Sequence, residues 1–187
     1  MRRAIVLFLA IAICSMASYA NAYAYIDDAK VLGGLSYKTD MYKYLNYYGY
    51  RIWLSDHRYS IHDMYINQDD SVIVDTWDGY LGHVYILKPN YTTNKGVSVG
   101  MTLQDIFNAY GEYSSEGGVQ EIHYNDYDKD YSGYITIEYV SEANEGLFFV
   151  LNKYTKKIVL IRYQSNRHGN STVLADVEKY HLLPYLR

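Results

Sequence analysis

An α+β fold, with helices on one face of a large antiparallel sheet, is predicted by three observations. The chain carries two sixteen-residue segments of matching pattern, a series of short alternating runs follows each, and polar turn residues divide those runs. The matching segments are GLSYKTDMYKYLNYYG, from Gly34 to Gly49, and GVSVGMTLQDIFNAYG, from Gly96 to Gly111, with five identical positions. Two tandem units of helix plus antiparallel meander are therefore expected to join into one larger sheet, with a further helix at the C-terminus.

Residues 1–22 come first and read as a signal peptide. Arg2 and Arg3 are a basic start, Ala4 to Ile13 is apolar, and Ala20-Asn21-Ala22 is a small-x-small cleavage pattern. The apolar run is too short to span a bilayer, and no later stretch is apolar enough to do so. Export to the periplasm or the extracellular space is the expectation. The only cysteine, Cys14, follows Ile13, where a lipidation signal wants a small residue, so lipid anchoring is not expected. Cleavage after Ala22 leaves 187 − 22 = 165 residues without cysteine, which must be held by packing alone.

Residues 23–95 form the first expected unit. Met41, Tyr44, Leu45 and Tyr48 have the spacing of one helical face, Thr39 or Asp40 caps the start, and Gly49 ends it. Strands are expected near 50–54, 58–66, 71–77 and 82–88, separated by Asn67–Asp70 and Asp78–Leu81. Residues 96–165 repeat the plan. Leu103, Ile106, Phe107 and Tyr110 are the helical face, Thr102 and Asp105 a capping box, and Gly111 the stop. Strands follow near 119–125, 134–141, 147–152 and 157–163. The helices correspond at an offset of 62 and the last two strands at 75, so a hairpin insertion of 75 − 62 = 13 residues is expected in the second unit. Residues 166–187 are a polar linker and then a helix in which Val173, Val177 and Tyr180 share a face.

The stretch TTNKGVSVGMTLQDIFNAYG resembles a signature of small exported bacterial proteins, and KVLGGLSYKTDMYKYLNYYG resembles its partner signature. The unit is also similar to that of the β-lactamase inhibitor protein and of BamE-like outer-membrane lipoproteins. That resemblance implies a fold of helices followed by antiparallel strands, in tandem in the inhibitor, and a function in protein binding without catalysis. It does not imply lactamase inhibition, which relies on disulfides that the mature chain would lack.

Composition narrows the chemistry. The formal charge of −4 becomes −6 once Arg2 and Arg3 are removed, and no run of Lys or Arg occurs, so nucleic acid is not an expected partner. The six histidines show no metal-ligand spacing, and no nucleophile elbow or phosphate loop is present, so no enzymatic activity and no cofactor are expected. DKDYSGYITIEY, from Asp128 to Tyr139, places Asp128, Asp130 and Ser132 at calcium-loop positions 1, 3 and 5. Its twelfth position is Tyr139 instead of Glu, and strand-like runs flank it. A polar turn is the first reading and a weak calcium site the second.

Of 187 residues, 25 are Tyr, a side chain with an apolar body and a polar tip. If Val72, Val74, Val84 and Ile86 face the helix, alternation sends Ile73, Asp75, Trp77, Tyr85 and Leu87 to the other face. Phe148, Val150, Leu160 and Arg162 follow them from the second unit. An apolar second face fits a protein-binding surface, a homodimer surface, or cover by the tail helix or N-terminal segment. The binding reading, with Ile73, Trp77, Tyr85, Leu87, Phe148, Leu160 and Arg162 as contacts to an unknown protein or a second copy, is preferred. Carbohydrate or cell-wall binding through stacked aromatics is the alternative.

Overall fold

A computed structural model describes residues 41–57, 61–111, 119–124, 133–140 and 146–165, together with Leu182 and Pro184. Helix α1, Met41–Tyr47, is followed by strands β1 (Arg51–Asp56), β2 (His62–Ile66), β3 (Val72–Trp77) and β4 (Tyr80–Ile86). Helix α2, Leu103–Tyr110, is followed by β5 (Val119–Tyr124), β6 (Tyr134–Val140), β7 (Gly146–Asn152) and β8 (Ile158–Gln164). All eight strands form one antiparallel sheet in the order β1-β2-β3-β4-β8-β7-β6-β5. Both meanders therefore run outward from a seam between their last strands, where His83 to Ile86 pairs with Gln164 to Ile161.

Among the described residues each half has the same order of elements, one helix and four strands, and the expected hairpin insertion adds no strand to them. Most of the extra residues of the second half fall between the described elements, at 111–118 against 48–50 and 125–133 against 57–61. Because β5 and β6 pair from Val119↔Val140 to Tyr124↔Ile135, strands flank the 125–133 connection, and the helix-loop-helix of an EF-hand is absent there. Asp128, Asp130 and Ser132 themselves lie outside the described residues, as do the expected signal peptide and the expected C-terminal helix apart from Leu182 and Pro184. Among the described residues no helix is long and apolar enough to cross a membrane.

Both helices lie on one face of the sheet. Met41 and Leu45 of α1 are fully buried against Val72, Val74, Leu81, Val84 and Tyr163. Ile106 of α2 packs with Ile86, Ile135, Ile137, Leu147, Phe149 and Ile161, and the Phe149 ring meets those of Tyr110 and Tyr139. Spacing of i, i+3 and i+4 on a helix, facing every second residue on a strand, produces this layer.

The second helix is fixed at both ends. The Asp105 amide donates to Thr102 Oγ1 at 3.4 Å, and the Thr102 amide donates to Asp105 Oδ2 at 2.8 Å, a reciprocal capping box. At the other end the Gly111 amide donates to the Phe107 carbonyl at 2.8 Å, with φ at +89°, where a side chain would be strained. Gly49 ends α1 with φ also positive, at +71°, its amide donating to the Asn46 carbonyl at 3.2 Å. Residues just before α2 are tied to the sheet: Gly100 donates to Ile158, and Ile158 to Met101, at 2.8 and 2.7 Å. Thr102→Ala is expected to destabilise the protein by about 1 kcal/mol through loss of the cap, read as a lower urea midpoint with unchanged slope.

Candidate functional site

The face opposite the helices is not a free surface. Ile73, Tyr85, Leu87, Phe148, Leu160 and Arg162 are all buried on it, packed with Met64, Ile66, Val150 and Leu182, while Trp77 is half-buried. The alternation read from the sequence places these residues on the correct face, but the expectation that they form a binding surface is corrected by their burial. A sheet whose apolar residues point both ways needs cover on both sides. Leu182, from the C-terminal segment, supplies part of that cover on this face.

Polar groups run through this second layer in a row. In register, Met64 on β2 stands opposite Asp75 on β3, Asp75 opposite His83 on β4, and His83 opposite Gln164 on β8. Asp75, fully buried, sits between two histidines: its Oδ1 is 2.6 Å from His62 Nε2 and its Oδ2 is 2.6 Å from His83 Nδ1. The Trp77 indole N–H also donates to Oδ2, at 3.2 Å, and the indole stacks on the His62 ring with centroids 4.1 Å apart. An ionised carboxylate only accepts hydrogen bonds, so both imidazole nitrogens facing it carry protons. Burial by itself pushes the Asp75 carboxyl upward, but the hydrogen bonds and charge of His62 and His83 outweigh it and hold the group well below the usual carboxylate range.

In the adjacent row, opposite Tyr85, Arg162 is a fully buried cation. Its guanidinium lies over the Phe148 ring, 4.1 Å from the centroid, and Nη2 donates to Gln164 Oε1 at 3.0 Å. Among the described residues this face thus holds the buried Asp75 carboxylate and the buried Arg162 guanidinium, on opposite sides of the β4–β8 seam.

Among the described residues neither this row nor its neighbourhood has the geometry of a nucleophilic site. Ser55, His57 and Asp63 form a second cluster at the β1–β2 corner, but Ser55 Oγ and Asp63 Oδ1 approach the same imidazole nitrogen, His57 Nε2, at 3.0 and 2.9 Å. A relay needs the two partners on different ring nitrogens. Among the described residues no group of three or more His, Cys, Asp or Glu is placed to hold a metal ion.

Exposed aromatic surface lies elsewhere, on the outer side of α1. Tyr47 is 82% and Tyr48 54% exposed, their rings meet edge-on at 5.0 Å, and Tyr44 packs on Tyr48 at 4.4 Å. Tyr42, on the same helix, is partly exposed and lies edge-on to Tyr65 of β2. Sequence reasoning placed Tyr44 and Tyr48 on the helical face with Met41 and Leu45 and did not single out Tyr42 or Tyr47, so it missed this surface. The signal available was that MYKYLNY carries tyrosines all round a helix only two turns long.

The chain matches no known family model and no curated protein. Solved structures similar to it include the uncharacterised protein YfeY from Escherichia coli, at 13% identity and a TM-score of 0.44, covering 71% of this chain and 94% of that one. An extracellular protein containing an SCP domain from Bacillus anthracis is 12% identical with a TM-score of 0.41, covering 72% of this chain and 49% of that one. A cysteine-rich secretory protein from Staphylococcus aureus is 17% identical with a TM-score of 0.40, covering 76% and 46%. This chain thus spans about half the length of the last two. Neither the β-lactamase inhibitor protein nor a BamE-like lipoprotein is among these three, and likenesses this distant carry no function across.

Proposed function

We propose that this chain is an exported, non-catalytic module that binds another protein through the tyrosine surface of α1. The observation that carries the reading is the contrast in exposure: the aromatic sheet face is buried, whereas Tyr47 and Tyr48 stand in contact with one another and open to solvent. Tyrosine supplies large, amphipathic contact area at low entropic cost and is enriched at interface hot spots. Lys43 is the only charged residue on α1, which keeps the desolvation cost of this surface low. The signal-like N-terminus supports export, and the duplicated pattern of residues 34–49 and 96–111 supports a non-enzymatic tandem module.

Carbohydrate binding is the weaker alternative. Trp77, the aromatic platform it would use, is stacked on His62 and hydrogen-bonded to Asp75. A photo-cross-linking side chain placed at position 47, with position 154 as an equally exposed control, distinguishes the readings. In cells, one adduct of defined mass at 47 and none at 154 is expected; twice the chain mass identifies the partner as a second copy. Equal adducts at both positions, or none at either, would refute the protein-binding reading. Retention on cell-wall polysaccharide without any protein adduct would favour the glycan alternative.

A further inference from the structure

Tyr44 and Tyr48 lie one helical turn apart, and the backbone fixes their spacing. The Tyr48 amide donates to the Tyr44 carbonyl at 3.0 Å and the Tyr50 amide to the Leu45 carbonyl at 2.9 Å, with Gly49 turning the chain between them. Side chains at i and i+4 on a helix are neighbours. Here the two rings have centroids 4.4 Å apart and are inclined by 40°. That is closer than Tyr47–Tyr48 at 5.0 Å, Tyr110–Tyr139 at 5.3 Å or Tyr42–Tyr65 at 6.5 Å. Tyr48 is half exposed and opens the pair to solvent, whereas Tyr139 is buried.

We propose that Tyr44 and Tyr48 form an oxidative modification site, at which a peroxide-driven one-electron oxidant joins the two rings as dityrosine. Each phenol gives up one electron and one proton, and the two phenoxyl radicals couple through ring carbons ortho to the oxygens. The ortho hydrogens then move to the oxygens and restore both phenols, so one carbon–carbon bond forms and two hydrogens leave the protein. Hydrogen peroxide takes up the two electrons and two protons as its O–O bond breaks, giving two molecules of water.

Geometry favours this pair because rings already held in contact couple within one molecule, without a diffusional encounter. Burial, followed by the neighbouring Tyr48 and Tyr91, pushes the Tyr44 phenol up to about 12, so it enters the reaction protonated. Cys14, the only cysteine, lies in the expected signal peptide, so the exported chain offers an oxidant tyrosines and no thiol. The bond needs no partner protein, and the inference is therefore independent of the binding surface assigned to α1.

Treatment of the dilute protein with a haem peroxidase and limiting hydrogen peroxide tests it, read by dityrosine fluorescence and by mass spectrometry of the intact chain and its peptides. The expected product is a monomer lighter by two hydrogens, with its cross-link mapped between Tyr44 and Tyr48. Tyr48→Phe is expected to lose that product and its fluorescence, and Tyr47→Phe to keep both. Exposure alone would instead select Tyr47 and Tyr154, at 82% and 81%, and would link chains to one another. Such dimers without the monomer product, a monomer cross-link at another pair, or an unchanged yield in Tyr48→Phe would overturn the proposal. So would the absence of dityrosine under conditions in which free tyrosine couples. If a variant does not fold, peptide mapping of the unaltered protein decides the question alone.

Discussion

Asp75→Asn is expected to lower the unfolding free energy by about 3 to 5 kcal/mol, the scale for breaking a buried charge cluster from one side. The asparagine carbonyl can still accept from one imidazole, but its amide group then faces the N–H of the other, and three buried donors on His62, His83 and Trp77 share a single acceptor. The pH dependence carries a separate signature. The folded carboxyl is depressed below its unfolded value of about 3.9, so the folded state favours the ionised form. Stability from this group is complete above about pH 4 and is lost progressively as pH falls below that value towards the depressed folded one. Urea unfolding of the unaltered protein should therefore show an acid slope below about pH 4 that the variant lacks in part. Parallel acid slopes in the two proteins would show that Asp75 does not contribute it.

Arg162 gives the second large effect. Arg162→Ala is expected to cost about 3 to 5 kcal/mol, because it removes a fully buried long side chain, leaves a void beside Phe148 and deprives the Gln164 carbonyl of its donor. Arg162→Met is expected to recover at least about half of that loss, since a side chain of similar length refills the space and brings no charge to desolvate. Equal costs for alanine and methionine would mean that the guanidinium, through its contact with the Phe148 ring and its hydrogen bonds, matters more than the volume. Chemical denaturation of both variants at neutral pH settles the comparison.

These two residues also show where sequence reading succeeded and where it failed. The periodicity of Met41 and Leu45, the Thr102–Asp105 box and the alternation of Val72 to Trp77 were legible because each depends on residues close in the chain. Which face Ile73, Tyr85 and Arg162 occupy was legible for the same reason, since side chains alternate strictly along a strand. Whether that face meets solvent was not, because burial depends on what packs over the sheet, and Leu182 lies far along the chain from all three. The polar row was equally hidden. His62, Asp75 and His83 are separated by 13 and 8 residues with nothing between them that marks a site. One clue was available: Asp75 interrupts the apolar run from Val72, on a strand whose remaining residues all favour burial. A carboxylate there needs buried donors.

The sequence by itself determined the α+β class, helices α1 and α2, the caps of α2, the eight described strands and the two faces of the sheet, since all rest on periodicity and local turn chemistry. It also determined that strands, not helices, flank the 125–133 connection. Only the tertiary structure decided that the two meanders meet at β4 and β8, that the aromatic face is interior, and that one carboxylate bridges two histidines. The physical reason is range: dihedral preferences and alternation act over a few residues, whereas strand order, burial and desolvation are properties of contacts between residues far apart in the chain.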